Sequence, residues 1–340
     1  MEVRTIVVRS PNWIGDCVLS APAILGVRDR YPDARLTVVA HSRVKDLLSM
    51  LPGIDCVKEF DSAKAGRGLR SMNRFAQTIW KEPIDLFIVF PMSFSSALMS
   101  YLSGARRRIG YASEMRRPLL NEPLVLPRDH RQRHLLLTYS DLVREVGVDG
   151  DLGEPRLVAP RSSSVGERLL LDSGVRSETT LVGIAPYASY GPAKRWALDR
   201  YRELGMELAK RHDCVTVVLG GKEDVQDGDR RGFEGSSFVD LCGRLSLGEA
   251  AWVMARCRCL VSNDTGIAHV AAALGTPVVS VFGSTSPVWT APLGRGNRVL
   301  YRQVECSPCF KRVCRFGHYR CLTDVEVGAV LDCVEGILNG

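Results

Sequence analysis

The feature that most constrains this chain is an alternation of short apolar runs with helix-period segments, which runs once, lapses and then runs again. The runs Val3–Val8, Leu36–Ala40 and Leu86–Phe90 have the length and apolarity of buried strands. Between and after them, Asp16–Tyr31, Arg43–Leu51, Gly68–Lys81 and Leu135–Val146 carry helical spacing. Pro32, Pro52-Gly53 and Gly147 supply the stops. After the lapse come strand candidates Leu181–Ala185, Val215–Leu219, Leu260–Ser262 and Val278–Phe282, and helix candidates Asp199–Arg211, Leu247–Arg256, Ile267–Leu274 and Glu326–Leu338. Strand–helix–strand alternation implies parallel sheets with helices on both faces, because a parallel connection must cross over the sheet.

The lapse at 149–164 gathers Gly, Pro and Ser, with Pro155 and Pro160 as breakers, and reads as a linker. It divides the chain into residues 1–155, residues 165–325 and a last helix at 326–340. At roughly 100–200 residues per domain, 340 residues suit two domains. Two similar α/β halves imply a ligand cleft between them.

Composition closes off other classes. Hydrophobic residues make up 45% and charged residues 24%, which excludes disorder, collagen and coiled coil. The eleven cysteines follow a first segment that reads as a strand rather than an export signal, so a reducing cytosol is expected. The longest uncharged stretch, 86–105, holds Pro91 and five serines and fails as a membrane span. It reads instead as a strand followed by a small-residue helix. The net charge of +7 is too small to imply nucleic acid. Between Gly104 and His134, however, eight arginines face three acids. Such a stretch is either a local basic field for an anionic partner, with Arg106, Arg107 and Arg108 at its head, or a solvated mixed-charge surface.

No Gly-x-Gly-x-x-Gly, Walker lysine loop, His-Glu-x-x-His or Gly-x-Ser-x-Gly is present. Four other segments carry polar residues to the carboxyl ends of strands, where open α/β sheets bind ligands. In Ser10-Pro11-Asn12-Trp13-Ile14-Gly15-Asp16, Asp16 is either a helix cap or a general base. In Pro186–Trp196, Ser189, Lys194 and Arg195 suit an anion, or the segment is a solvated loop with Trp196 packed inward. In Ser262-Asn263-Asp264-Thr265-Gly266-Ile267-Ala268-His269, Asp264 or Thr265 caps a helix whose amide end suits phosphate, and Gly266 leaves room for a pyrophosphate. His269, one turn in, is either a ligand or a packing residue. Glu223, after Gly220-Gly221, is either a ribose acceptor or a surface acid beside Asp224.

Taken together, Pro11–Asp16, Gly191-Pro192-Ala193-Lys194-Arg195-Trp196 and Asn263-Asp264-Thr265-Gly266-x-x-His269 resemble the ADP-heptose:lipopolysaccharide heptosyltransferases over nearly the whole chain. Pro11–Asp16 is most similar to the members that add the second heptose. The resemblance implies a GT-B fold of two Rossmann-like domains facing across a cleft, the first half holding the acceptor and the second ADP-heptose. It implies an inverting, metal-independent glycosyltransferase with no cofactor. It places Asp16 as base, Lys194 on the diphosphate, and Ser189, Tyr190, Glu223, Leu245, Asp264, Thr265, Gly266 and His269 around the donor. Ser189 and Tyr190 stand where a related subgroup has two threonines. The implied partner is an anionic lipopolysaccharide core–lipid A acceptor, bound by Asn12 and Arg106–Arg108 by a cytoplasmic enzyme peripheral to the inner membrane. Enzymes adding the first or third heptose, and a non-catalytic nucleotide-binding or metal-sensing protein, are the alternatives.

Cys306, Cys309, Cys314 and Cys321, with His318 nearby, read either as ligands of a structural metal or as reduced, unliganded thiols. Cys257 and Cys259 read as packing residues.

Overall fold

The structure, a computed structural model, describes residues 2–60, 75, 82–227, 233, 235 and 237–340. The helix expected over Gly68–Lys81 lies outside the described residues except at Phe75. The chain divides into two compact units, Met1–Arg156 and Leu157–Gly340.

In the first unit the strands are β1 (Thr5–Arg9), β2 (Arg35–Ala40), β3 (Cys56–Glu59), β4 (Leu86–Val89), β5 (Arg107–Tyr111) and β6 (Glu122–Leu124). They form one sheet in the order β3-β2-β1-β4-β5-β6, and every pairing is parallel. This is the doubly wound Rossmann order. β1 and β4 are the switch strands: the chain leaves β1 toward one side of the sheet and resumes at β4 on the other. The helices are α1 (Ile14–Arg30), α2 (Ser42–Leu48), α3 (Phe94–Leu102) and α4 (Leu135–Arg144). α1 packs on α4, and its Gly26 closely meets the segment that follows α4, where a Cβ would stand 2.7 Å from Val148 Cγ1.

The second unit repeats the plan. After α5 (Ser164–Asp172) come β7 (Thr180–Ala185), α6 (Leu198–Arg211), β8 (Cys214–Val218), α7 (Lys222–Asp227), β9 (Phe238–Asp240), α8 (Leu247–Arg256), β10 (Cys259–Asn263), α9 (Gly266–Ala273), β11 (Val278–Phe282), α10 (Pro287–Thr290) and β12 (Arg298–Tyr301). Two helices, α11 (Arg320–Thr323) and α12 (Val327–Leu338), end the chain. The sheet order is β12-β11-β10-β7-β8-β9, again wholly parallel. Counted from its own first strand, this is the same order as in the first unit, with its switch between β7 and β10.

The terminal helix α12 packs on α6, β10 and β11 and so belongs to the second unit. Trp196 is the pin of that unit's core. Its ring meets Tyr201 edge to face at 4.9 Å, and its indole N–H donates to the Val325 carbonyl at 3.0 Å. By area, burial of one indole contributes on the order of 4 kcal/mol. The loop beginning at Pro186 is therefore anchored at its far end by a core residue.

Five strands were not foreseen from periodicity: β3, β5, β6, β9 and β12. Four of them are the outer strands of their sheets. They are short, partly exposed and carry charge, so they lack the continuous apolar run that marks a central parallel strand.

Candidate active site

In the first unit, the β1–α1 loop leaves the carboxyl end of a switch strand. α1 begins at Ile14, two residues earlier than periodicity suggests, with Trp13 at its N-cap and no side-chain cap. Asp16 is therefore not the cap. It is the third helical residue, half-buried in the first turn, where the helix dipole favours a carboxylate. It lies close enough to Cys17 and Tyr139 to act on both. Burial pushes the Cys17 thiol up to about 12 and the Tyr139 phenol well above its ordinary value, and the Asp16 charge adds to each.

Asn12 is exposed on the same loop, and its position is set by Arg9, the last residue of β1. Only 4% of Arg9 is exposed. Its Nη1 donates to the Ser10 carbonyl at 2.8 Å and the Val39 carbonyl at 3.1 Å, and its Nη2 to Asn12 Oδ1 at 2.6 Å. Desolvation lowers this guanidinium to about 10. Sequence reading missed Arg9. An arginine closing an apolar strand, immediately before a polar turn, was the available signal. Trp13 presents an exposed indole beside Asn12, with Arg43 5.4 Å from its ring centroid. On the other switch strand, β4, the loop at Pro91–Ser93 is held by a fully buried Arg116, which donates to the Pro91, Ser93 and Tyr111 carbonyls.

Arg106, Arg107 and Arg108 lie apart from Asn12 and Asp16 in the first unit. They lie at the start of β5, the amino end of a parallel sheet, whereas Asn12 and Asp16 follow the carboxyl end of β1. Their guanidiniums are committed locally. Arg106 pairs with Asp85 at 3.1 Å, and Arg107 grips Glu122 through two bonds of 2.7 and 2.8 Å. Arg108 donates to the Leu119 and Ala105 carbonyls. Farther along, Arg133 is paired with Asp141. Three of the eight arginines in the run are thus paired with acids, and Arg108 and Arg116 are spent on backbone carbonyls.

In the second unit the two switch-strand loops are stitched together. Asn263 Nδ2 donates to the Pro186 carbonyl at 2.7 Å, and Trp196 N–H donates to Asn263 Oδ1 at 2.9 Å. This brings Lys194 to Asp264: Nζ stands 2.5 Å from Oδ2 and 3.4 Å from the backbone carbonyl. The side chains are 13% and 4% exposed, so the pair is buried with one side open. Thr285 Oγ1 donates to the same Oδ2 at 2.5 Å. Asp264 is thereby fully engaged and does not cap α9. Thr265 holds the N-cap position with extended backbone, but its side chain makes no cap bond; its hydroxyl lies 3.1 Å from Ser262 Oγ. The amide end of α9 at Gly266 is left without a side-chain cap, next to a lysine, which is the arrangement that receives phosphate. His269, one turn further, is buried.

The other expected donor residues are spread along the same carboxyl edge. Ser189 is exposed and Tyr190 half-buried in the loop after β7. Glu223 is exposed at the start of α7, which follows β8. Asp224 beside it is engaged, accepting from the Gly221 N–H at 2.8 Å. Leu245 is half-buried after β9, just before the capping box Ser246–Glu249 that starts α8.

All eleven cysteines are free thiols, and among the described residues no group of three or more His, Cys, Asp or Glu side chains is arranged to hold a metal ion. Cys306, Cys309 and Cys314 lie near enough to Cys321 for their charges to add to the burial that raises its thiol. Cys257 and Cys259 are buried, as packing residues would be, and burial raises both thiols.

Two Rossmann-like units, one with a carboxylate at its switch-strand loop and the other with a lysine beside a helix tip, define an α/β protein of the GT-B glycosyltransferase type. Comparison with known proteins narrows the class. Residues 72–320 match the profile of glycosyltransferase family 9 (heptosyltransferase). The chain is 30% identical to lipopolysaccharide heptosyltransferase 2 of Salmonella typhimurium, over 98% of both chains. Its structure is similar to that of Escherichia coli ADP-heptose lps heptosyltransferase II, with a TM-score of 0.81, 27% identity and 98% of each chain covered. A glycosyl transferase family 9 structure from Veillonella parvula shares the fold at a TM-score of 0.87 and 22% identity, covering 100% of this chain and 98% of that one. The chain belongs to glycosyltransferase family 9, the heptosyltransferases, and is a glycosyltransferase.

Proposed function

We propose that this glycosyltransferase moves heptose from ADP-L-glycero-D-manno-heptose to the heptosylated inner core of lipopolysaccharide, adding the second heptose with inversion. The observation that carries the reading is the Lys194–Asp264 pair beside the uncapped amide end of α9, at the switch point of the second sheet. The similarity to heptosyltransferase 2 proteins supports the choice of sugar and of the second transfer.

Transfer needs a deprotonated acceptor hydroxyl, a cation-like sugar centre and a stabilised leaving diphosphate. Asp16 takes the hydroxyl proton as it attacks the anomeric carbon from the face opposite ADP, and this inverts the centre. Lys194 and the α9 amides stabilise the charge that builds on the leaving β-phosphate, by electrostatics already in place before reaction. Tyr190, Glu223, Leu245 and His269 would complete the donor site around the nucleotide and the sugar. Asn12 and the exposed Trp13 face offer a hydrogen-bonding group and an apolar surface to the acceptor sugar.

The acceptor is lipid-borne, so the reading includes peripheral association with the cytoplasmic face of the inner membrane. Among the described residues no helix is long and apolar enough to cross a membrane. The deciding experiment is ADP release with ADP-heptose and core glycolipids carrying no heptose, one heptose or two. Turnover confined to the one-heptose acceptor is expected. Turnover on another acceptor alone would reassign the transfer step, and acceptor-independent binding without turnover would point to a non-catalytic nucleotide binder.

A further inference from the structure

Lys194 is the cation expected at the donor diphosphate, yet its charge is already balanced. Asp264 sits 2.5 Å away and is nearly inaccessible. A neutralised pair attracts a diphosphate far less than a lone cation does, so the site needs positive charge from elsewhere. A second cation shares the Tyr190 ring with Lys194. Arg312 Cζ lies 5.4 Å from the Tyr190 ring centroid, and Lys194 Nζ lies 4.9 Å from that centroid. Arg312 is exposed and has no acidic partner among the described residues.

Arg312 arrives there on a strap fixed to the donor loop at several points. The Tyr190 hydroxyl donates to the Phe310 carbonyl at 2.7 Å, and the Ala193 N–H donates to the Arg312 carbonyl at 3.0 Å. The Phe310 N–H donates to the Ser284 carbonyl at 2.8 Å, next to Thr285, which binds Asp264. Gly191 is required at the crossing. Its φ is +140°, and a Cβ there would stand 2.7 Å from the Arg312 carbonyl oxygen. Phe310 itself takes a left-handed conformation, φ +53°, which costs about 1 kcal/mol in a residue with a Cβ and persists only where its surroundings impose it. The strap is the segment that also carries Cys306, Cys309 and Cys314.

We propose that Arg312, held beside Tyr190 by the strap at Phe310–Arg312, is a second cationic ligand of the donor diphosphate and supplies the uncompensated charge that the Lys194–Asp264 pair lacks. This rests on the donor site proposed above and adds a residue to it. A planar guanidinium can grip two phosphate oxygens at once, whereas Lys194 acts as a single point charge.

The test is calorimetric binding of ADP and of adenosine to wild-type protein, Arg312→Gln, Arg312→Lys and Lys194→Gln, with thermal unfolding as a check on folding. Arg312→Gln should weaken ADP about tenfold, near 1.4 kcal/mol, and leave adenosine unchanged. Arg312→Lys should fall between wild type and Arg312→Gln. Equal weakening of ADP and adenosine would reduce Arg312 to a structural prop, and unchanged ADP affinity would remove it from the site. If Lys194→Gln weakens ADP while Arg312→Gln does not, this inference fails and the donor site stands. If wild-type protein binds neither ligand, both fail.

Discussion

Lys194 and Asp264, 70 residues apart in the chain, form an ion pair of 2.5 Å at the point where the second sheet reverses its strand order. The pair is a consequence of topology. β7 and β10 are neighbours, the loop after each begins at the same edge, and Asn263 bonds to both ends of the first loop. A buried carboxylate is tolerable there because a lysine and a threonine hydroxyl both satisfy it.

Removing either partner should therefore give different outcomes for ADP. Lys194→Gln is expected to weaken ADP binding by about tenfold or more, through loss of a charge-assisted contact. Both variants are expected to lower the unfolding free energy on the order of 3 kcal/mol, because Asp264→Asn strands a largely buried ammonium and Lys194→Gln a more deeply buried carboxylate, so only the effect on ADP separates them. Calorimetry reads the first and denaturant unfolding the second. Identical effects of the two variants on ADP affinity would contradict the division of labour.

Asp16 stands in the first turn of α1 rather than at its cap, so its replacement tests chemistry with little change to the helix. Asp16→Asn should lower turnover between about a hundredfold and ten-thousandfold. The KM for ADP-heptose should change by less than about twofold, since the lost interaction belongs to the transition state. Steady-state kinetics with both substrates, on protein of unchanged circular dichroism, checks this. Near-wild-type turnover would leave Asp16 with only its favourable place in the helix dipole.

Arg9 should act through Asn12. Arg9→Met removes the donors to Ser10, Val39 and Asn12 and frees the loop that carries the acceptor residue. Acceptor kcat/KM should fall by about tenfold to a hundredfold, the scale of a small misplacement. The affinity for ADP should be unchanged, because the donor residues belong to the other unit. Arg9→Lys keeps the cation but not the fork and should recover only part of the loss. A fall in ADP affinity equal to the fall in acceptor kcat/KM would show general damage to the fold.

Much of this protein was legible from its sequence, because the signals are local. Buried parallel strands need unbroken apolar runs, so β1, β2, β4, β7, β8, β10 and β11 can all be found by eye. Loops at their carboxyl ends must carry the polar chemistry of a doubly wound fold, and this picked out Asp16, Lys194 and the turn at Asp264–Gly266. The outer strands stayed hidden, because a half-exposed strand needs no such run.

What only the tertiary structure decided is which groups meet. Composition marks Arg106–Arg108 as a basic field, but sheet order puts them at the amino edge and supplies Asp85 to pair with Arg106 and Glu122 to pair with Arg107. Composition gives no role to Arg9 or Arg312, but burial turns one toward Asn12 and a strap carries the other to Tyr190. Charge is written residue by residue, whereas its compensation depends on neighbours far away in the chain, and folding alone assigns those neighbours.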